Sequence, residues 1–347
     1  MCRRVLPLLH TPVASIPSAV NGPTLLSGRD HRSNVVVQPE PSTRTHLLEL
    51  LDRRAALLSA SASSNPAELA GVTDELTAVL SAGAPLVRRV DADEPGDLLT
   101  RMVEQEPVHP FSQEDPVADL ADRLQLDRRC FVLEHPLLPG HPMNVVWVAL
   151  RRGVACRIED ILDPRRATLD PKTATSAVFY SIWNVEPGLV GVPGGSALLS
   201  GAIEAIGHEF PGVEEYVTLS PIPGFRDWWL AAATTADDAG RHDAGLEPSD
   251  VQNDTMERAC ARYLCTLGAD GRPIDAVARF HLGNGARLIG LNRAADLSAK
   301  GMRRSFGLMA NYRYSPEDRA QNRAALSAGR PAVAEAIGDL LASTEPR

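Results

Sequence analysis

The chain has 347 residues, a length that predicts two domains at roughly 100–200 residues per domain. Hydrophobic residues make up 44% and charged residues 23%, which is typical of a globular chain, and no apolar run approaches the roughly 18 residues of a membrane span. The net charge of −9 argues against non-specific binding to nucleic acid or an anionic membrane, because both need a basic surface. The five scattered cysteines lack metal-site or C-x-x-C spacing, which favours a reduced, cytoplasmic protein.

Residues 1–43 mix Pro, Ser, Thr and Asn without a sustained period, and we expect them to be disordered. Arg3 and Arg4, in a segment with few acids, weakly resemble a transit peptide. The apolar run 5–9 is too short for the hydrophobic part of a secretory signal. A disordered tail is the favoured interpretation, with a targeting segment as the alternative.

Residues 44–106 carry a helical pattern. Leucines and alanines recur at helical spacing from His46 onwards. Asn65 and Pro66 are typical of a helix start, with Asn as the cap and Pro at the first position. A third helix is predicted over 95–106. The region is therefore predicted to be a small domain made of helices.

Residues 107–347 alternate between strand and helix patterns after a short predicted helix at 116–124. Strands are predicted over 130–133, 145–150, 177–183, 216–219 and 277–281, and helices over 196–208 and about 249–267. The segment 234–248 is polar and is predicted to be a loop. Such alternation argues for an α/β or α+β domain.

A glycine-rich loop over 188–196 lies between a predicted strand and a predicted helix. Glycine lets backbone N–H groups approach an anion, and a helix start adds free donors. The spacing matches neither common nucleotide-binding motif, so a plain tight turn remains the alternative. The candidate substrate-binding residues here are Val190, Gly191, Val192, Pro193, Gly194, Gly195 and Ser196.

Ser220 follows a predicted strand and is stiffened by Pro221 and Pro223, which restrict the backbone. Such stiffness suits a side chain that must be aimed at a substrate. The G-x-S-x-G pattern of a nucleophile elbow is absent. A capping serine in a turn is the alternative.

His281 is predicted to end a strand, just before an Asn-Gly turn, with Arg279 and Arg287 nearby. The ordinary near-neutral pKa of histidine suits proton transfer, and a structural histidine is the alternative. Tyr314 ends a run in which aromatic residues and Arg interleave. Such residues line a pocket or close the edge of a core.

Taken together, these segments resemble the malonyl-CoA decarboxylase family. They follow the order and approximate spacing of the family over about residues 85–315, and the segments are 128–131, 179–182, the loop around Gly191, 219–225, 278–288 and 307–314. The resemblance implies an α+β fold class, in which a short N-terminal helical domain (44–106) precedes a catalytic domain (107–347) with a GNAT-like mixed sheet.

The resemblance also implies a carboxy-lyase that converts malonyl-CoA to acetyl-CoA and CO₂ in fatty acid metabolism. Ser220 and His281 would form the catalytic pair, with His281 as the proton donor. The loop 190–196 would bind the pyrophosphate of coenzyme A, and Tyr314 would contact the substrate. No metal or cofactor is expected, because the thioester itself accepts the electrons and coenzyme A is part of the substrate. Arg279, Arg287 and Arg313 are candidate positive charges near the coenzyme A phosphates.

The sequence departs from the family pattern in three places. Pro193 replaces an acidic residue of the loop, Arg293 replaces a tryptophan after Asn292, and the helical domain is short. These departures leave two alternatives, which are an acyl-CoA-binding homologue with little or no turnover and an acyltransferase of the same fold. Malonyl-CoA is the expected partner, nucleic acid and membrane are not, and the oligomeric state stays open, with a homo-oligomer as one alternative.

Overall fold

The structure is a computed structural model that describes residues 25–26, 41–60, 65–94, 96–192, 195–235 and 254–342. Its helices are α1 Pro41–Ser59, α2 Pro66–Leu80, α3 Gly96–Gln105, α4 Pro116–Arg123, α5 Glu159–Leu162, α6 Gly195–Glu209, α7 Phe225–Thr235, α8 Asp254–Cys265, α9 Ala276–Gly283, α10 Ala299–Ser305, α11 Arg319–Ser327 and α12 Glu335–Ala342. Its strands are β1 Leu25–Leu26, β2 Leu86–Val90, β3 Arg128–Glu134, β4 Asn144–Arg151, β5 Ser176–Asn184, β6 Glu215–Thr218, β7 Ser220–Pro221, β8 Arg287–Asn292 and β9 Met309–Tyr314.

The first two helices pack on each other as the sequence predicts. Helix α2 begins where expected, because the Asn65 side chain accepts a hydrogen bond from the Ala67 N–H at 3.1 Å and Pro66 needs no partner for its nitrogen. Their apolar faces share a core with Leu138, Met143 and Leu189, which belong to the segments that flank the sheet. The helical part is therefore joined to the rest of the described chain by a common hydrophobic core.

The strands of the described residues form one mixed sheet in the order β1-β2-β3-β4-β5-β6-β9-β7, with β8 paired to β9. From β2 to β5 all neighbours are antiparallel, whereas β5 and β6 run parallel and are connected through α6. A parallel connection needs such a crossover helix. The mixed sheet and the N-terminal helices expected from the sequence are confirmed.

Strands β3 and β4 are buried on both faces, which explains their continuous apolar runs. Phe131 and Leu133 share a core with residues of α6. Cys130 and Val132 point to the opposite face and share a second core with Met102 of α3. Burying an apolar side chain of this size stabilises the fold by roughly 1.5–3 kcal/mol, so the sheet is fixed from both sides.

Three expectations need correction. Residues 44–106 do not contain helices alone, because β2 pairs with β3 in the sheet. Within 1–43, Leu25–Leu26 pairs with β2 and α1 begins at Pro41, while the remaining residues lie outside the described part. The predicted strand 277–281 lies in helix α9. A short apolar run of this kind is compatible with both a strand and a buried helix. The predicted loop 234–248 and the start of the predicted helix 249–267 lie largely outside the described residues.

Candidate active site

A pocket opens where the two parallel strands part. Strands β5 and β6 pair from Ser176↔Glu215 to Phe179↔Thr218, and the Leu219 N–H then donates to the Phe179 carbonyl at 3.1 Å. Beyond this point β7 turns to pair with β9 instead, with Ser220 opposite Ala310. The second half of β5 is thereby separated from the chain that carries Ser220, which leaves room for a ligand.

The pocket has a volume of about 220 Å³ and mostly apolar walls. Its lining comes from the segment between α3 and α4, from β4, β5 and β7, from the start of α6, and from α9. It comprises Val108, Asn144, Phe179, Tyr180, Ile182, Trp183, Asn184, Gly195, Ser220, Pro221, Ala276, Val277, Phe280 and His281. Both members of the predicted catalytic pair therefore face one cavity. A cavity of this volume can hold an acyl group, whereas a longer molecule attached to that group would extend outside the cavity.

The side chains of Ser220 and His281 meet although 61 residues separate them in sequence. Ser220 Oγ lies 3.0 Å from His281 Nε2, within hydrogen-bond distance. The two residues are 4% and 3% exposed. The distance and burial are those of a serine–histidine pair that acts as a unit at the wall of a cavity.

A chain of hydrogen bonds sets the proton positions of this pair. The Tyr312 N–H donates to Thr218 Oγ1 at 3.2 Å, and the Ser220 hydroxyl donates to the same oxygen at 2.8 Å. Because the Ser220 hydrogen is used there, Ser220 Oγ accepts from Nε2–H of His281. On the other edge of the ring, Nδ1 accepts from Tyr314 Oη at 2.8 Å. The imidazole thus holds its hydrogen on the nitrogen that faces Ser220.

Burial keeps this imidazole neutral. It lowers the pKa of His281 from 6.5 to about 3. The ring also stacks on Tyr312, with centroids 4.6 Å apart, and Phe280 lies edge-on at 5.1 Å. An anion placed beside the ring would favour its protonated form again.

Helix α9 aims His281 from its last turn, and Asp275 fixes the start of this helix. The Asp275 side chain accepts from the N–H groups of Val277 and Ala278 at 2.9 and 2.8 Å. It also accepts from Tyr263 Oη at 3.2 Å and from the Gly224 backbone N–H. Burial raises the pKa of this carboxyl group. Asp275 therefore ties α9 to the segment that carries Ser220.

Sequence reasoning missed both Asp275 and Thr218. An Asp directly before an apolar run is a helix N-cap signal, and it would have predicted α9 in place of a strand. Thr218 carried no such signal, since a threonine at a strand end is common and its role depends on the 2.8 Å contact with Ser220.

The predicted substrate-binding residues lie in different places. Gly195 lines the pocket, Pro193 and Gly194 lie outside the described residues, and Ser196 Oγ accepts from Arg319 Nη2 at 2.7 Å. Val190, Gly191 and Val192 precede the pocket on the outer part of the loop. Tyr314, expected against the substrate, contacts the imidazole of His281 instead.

The three arginines proposed near the coenzyme A phosphates have protein partners. Arg287 and Arg313 form ion pairs with Asp318 and Glu215 at 3.5 and 2.8 Å. Arg279 Nε donates to the Pro273 carbonyl at 2.9 Å. The charges of Arg287 and Arg313 are thus paired with carboxylates, whereas the acceptor of Arg279 is neutral. Arg319, which holds the first turn of α6 through Ser196 and Ser200, is a better placed cation.

The described residues contain neither a candidate metal site nor a candidate membrane-spanning helix. Across the described ranges, no three His, Cys, Asp or Glu side chains are grouped so that they could hold a metal ion. No helix among the described residues has both the length and the apolar character needed to cross a membrane. The expectation that the reaction uses no cofactor stays a prediction.

Comparison with known proteins identifies the family. The model of the malonyl-CoA decarboxylase C-terminal domain matches residues 83–347. The chain belongs to the malonyl-CoA decarboxylase family. The mitochondrial malonyl-CoA decarboxylases of Anser anser anser and Rattus norvegicus are 31% and 32% identical to it, over 80% and 79% of this chain. These alignments cover 62% and 63% of the relatives, so the chain spans less than two thirds of their length.

Solved structures of malonyl-CoA decarboxylases agree with this membership. The crystal structure of the enzyme from Rhodopseudomonas palustris superimposes with a TM-score of 0.75 at 35% identity, covering 84% of this chain and 75% of that one. The enzyme from Agrobacterium vitis gives 0.72 at 34% identity, covering 85% and 76%. The family match includes every described residue of the pocket, from Val108 to His281.

Proposed function

We propose that this pocket decarboxylates malonyl-CoA to acetyl-CoA and CO₂. The single observation that carries the proposal is the 3.0 Å contact between Ser220 Oγ and His281 Nε2 at the wall of an apolar cavity. Membership of the malonyl-CoA decarboxylase family supports the choice of substrate. Gly195, at the start of α6, lines the same pocket, and the glycine-rich loop before it would receive the phosphates of coenzyme A.

The reaction breaks the bond between the carboxylate carbon and C2 of the malonyl group. The electron pair moves into the thioester as an enolate, and CO₂ leaves without a charge. An apolar pocket favours this step, because the carboxylate is poorly solvated there and the step converts it to uncharged CO₂. The Ser220 hydroxyl, which donates to Thr218 Oγ1 in this structure, would turn its hydrogen to the thioester oxygen, on which the negative charge grows.

A proton must then reach C2, and we assign its transfer to Nε2 of His281. Without the substrate anion the imidazole is neutral, because burial lowers its pKa to about 3. The malonyl carboxylate brings a negative charge beside the ring, which raises the tendency of His281 to take a proton from solvent. The imidazolium then protonates C2 and returns to the neutral form. One proton is consumed in each turnover, which balances the loss of CO₂.

We also place this reaction in fatty acid metabolism and in the cytoplasm. The free thiols of Cys130, Cys260 and Cys265 support the cytoplasmic assignment, whereas the disulfide-bonded Cys156 departs from the reduced state expected from the sequence. The curated relatives are named as mitochondrial enzymes. Fractionation of the source cells, followed by immunodetection, tests the assignment directly, and recovery in an organelle would contradict it.

The activity is tested by incubating the chain with malonyl-CoA and measuring acetyl-CoA and released CO₂. We expect turnover, and a loss of at least about 100-fold in kcat for His281→Gln and for Ser220→Ala. Exposed residues of the same types provide matched controls, which are His208→Gln on α6 and Ser81→Ala after α2. Coenzyme A binding without CO₂ release would favour the non-catalytic homologue. Acyl transfer to an added amine without CO₂ release would favour the acyltransferase.

A further inference from the structure

The glycine-rich loop is anchored by a residue far outside it. Arg54 of α1 is 6% exposed, and its Nη1 donates to the carbonyls of Gly188 and Val190 at 2.5 and 2.8 Å. Its Nε donates to Thr73 Oγ1 of α2 at 2.9 Å. One planar guanidinium thus joins both N-terminal helices to the chain that precedes α6.

Close packing reinforces these hydrogen bonds. A Cβ atom at Gly188 would lie 2.2 Å from the Leu51 carbonyl oxygen, so the loop touches the backbone of α1. The Leu189 side chain is buried in the core formed by α1 and α2. Gly191 then turns with φ of 78°, a conformation that side chains other than glycine rarely adopt. Contacts with α1 therefore hold the loop segment 188–191 in its conformation.

Among the described residues, the Arg54 guanidinium donates to the neutral oxygens of Thr73, Gly188 and Val190. Burial lowers the pKa of Arg54, because its charge is removed from water without a carboxylate among these acceptors. Neighbouring Arg53 differs, since its guanidinium is exposed and pairs with Glu68 at 2.7 Å. A cation with only neutral acceptors leaves a positive potential at the loop, and an incoming phosphate would be attracted to it.

We propose that Arg54 is a positioning residue through which α1 sets the shape of the loop 188–192 and thereby the affinity for the coenzyme A part of the substrate. The inference rests on the proposed function, because it takes this loop as the place that receives coenzyme A. It assigns the short helical part a role in substrate affinity and none in bond breaking. Arg54 acts through the loop and lies outside the lining of the pocket.

The test compares Arg54→Gln with the matched control Arg53→Gln, which removes the same charge from the same helix. Calorimetry measures the affinity for coenzyme A. Steady-state kinetics with malonyl-CoA give KM and kcat, and hydrogen–deuterium exchange measures backbone exchange at 186–192. We expect Arg54→Gln to weaken coenzyme A binding and raise KM about tenfold, to leave kcat within about twofold, and to speed exchange in the loop. Arg53→Gln should behave as the unmodified chain.

Arg54→Lys keeps the charge and loses the planar fork, so we expect it to restore only part of the affinity. If Arg54→Gln does not fold, Thr73→Val removes one acceptor of the guanidinium and should weaken coenzyme A binding about threefold. Unchanged affinity in the folded variant, or a fall in kcat at unchanged affinity, would overturn the inference. A chain that binds coenzyme A but releases no CO₂ would contradict the proposed function alone, because affinity and exchange still test Arg54.

Discussion

Tyr314 Oη lies 2.8 Å from Nδ1 of His281, on the opposite edge of the imidazole ring from Ser220. The phenol is 3% exposed, and burial raises its pKa, so it stays a hydrogen-bond donor. Because Nδ1 accepts from Tyr314, the hydrogen of the neutral ring is kept on Nε2. The tyrosine therefore controls which nitrogen of His281 carries the hydrogen of the neutral ring.

Replacing Tyr314 by Phe tests this control. The variant leaves Nδ1 buried without its donor, so both tautomers become accessible, and kcat should fall about tenfold while KM changes less than about twofold. Tyr312→Phe is a matched control, since the Tyr312 hydroxyl is buried without a hydrogen-bond partner in the described structure and its ring stays stacked on His281. Steady-state kinetics of both variants decide the question. Equal activity of Tyr314→Phe and the unmodified chain would exclude the role.

The lowered pKa of His281 predicts how stability changes in acid. The folded chain binds this proton with a pKa of about 3 and the unfolded chain at about 6.5, so between these values the unfolded state binds more protons. Stability should therefore fall as pH decreases through this window, by up to about 1.4 kcal/mol per pH unit from this group.

Urea unfolding between pH 4 and 7 measures this dependence in the unmodified chain and in His281→Gln. The variant should lose about 1 kcal/mol per pH unit of the acid sensitivity, because its side chain does not titrate. His208→Gln, which changes an exposed histidine of α6, should keep the sensitivity of the unmodified chain. An unchanged slope in His281→Gln would show that folding does not lower the pKa of this imidazole.

Much of the architecture could be read from local sequence signals. Asn65 and Pro66 mark the start of α2, and the apolar run 145–150 lies inside β4, because a doubly buried strand needs apolar side chains on both faces. The run around Val277 failed as a strand because a short apolar segment fits a helix equally well, and the cap residue Asp275 decided between them.

The site itself was less accessible to local reasoning. Ser220 and His281 were chosen through the family resemblance, since no local pattern brings together residues 61 positions apart. Contact of Tyr314 with the substrate stays a prediction, and the structure shows this residue of β9 hydrogen-bonded to His281. Arg54 gave no signal at all, because its role depends on carbonyl groups 134 and 136 positions away. Long-range contacts of backbone groups leave no mark in the local sequence.

The helix cap at Asp275 affects both the stability of the fold and the position of His281. Asp275→Ala removes the acceptor for two N–H groups at the start of α9 and for Tyr263, so it should destabilise the fold by about 1–3 kcal/mol. It should also lower kcat about tenfold or more, because His281 is aimed from the same helix.

The exposed cap of α4 provides the comparison. Asp115 accepts from the Ala118 N–H at 2.9 Å, and Asp115→Ala should cost about 1 kcal/mol of stability with kcat unchanged. Urea midpoints and kcat are measured for both variants, and Asp275→Asn, which keeps an acceptor oxygen, should recover part of both losses. Full activity in a folded Asp275→Ala chain would show that α9 holds His281 without its cap.

Gly195 lies where the start of α6 closely approaches the wall of the pocket. A Cβ atom there would lie 2.5 Å from the Phe280 ring, and both residues line the cavity. Gly195→Ala must therefore displace the aromatic ring or the first turn of α6, and we expect a loss of about 1–3 kcal/mol in stability and a KM for malonyl-CoA raised about tenfold.

Gly71→Ala is the control, since nothing lies within 4 Å of its added methyl group in α2 and it should stabilise the helix by up to about 1 kcal/mol. Urea unfolding and steady-state kinetics measure both variants, and a Gly195→Ala chain with unchanged KM would mean that the substrate does not pass this wall of the pocket.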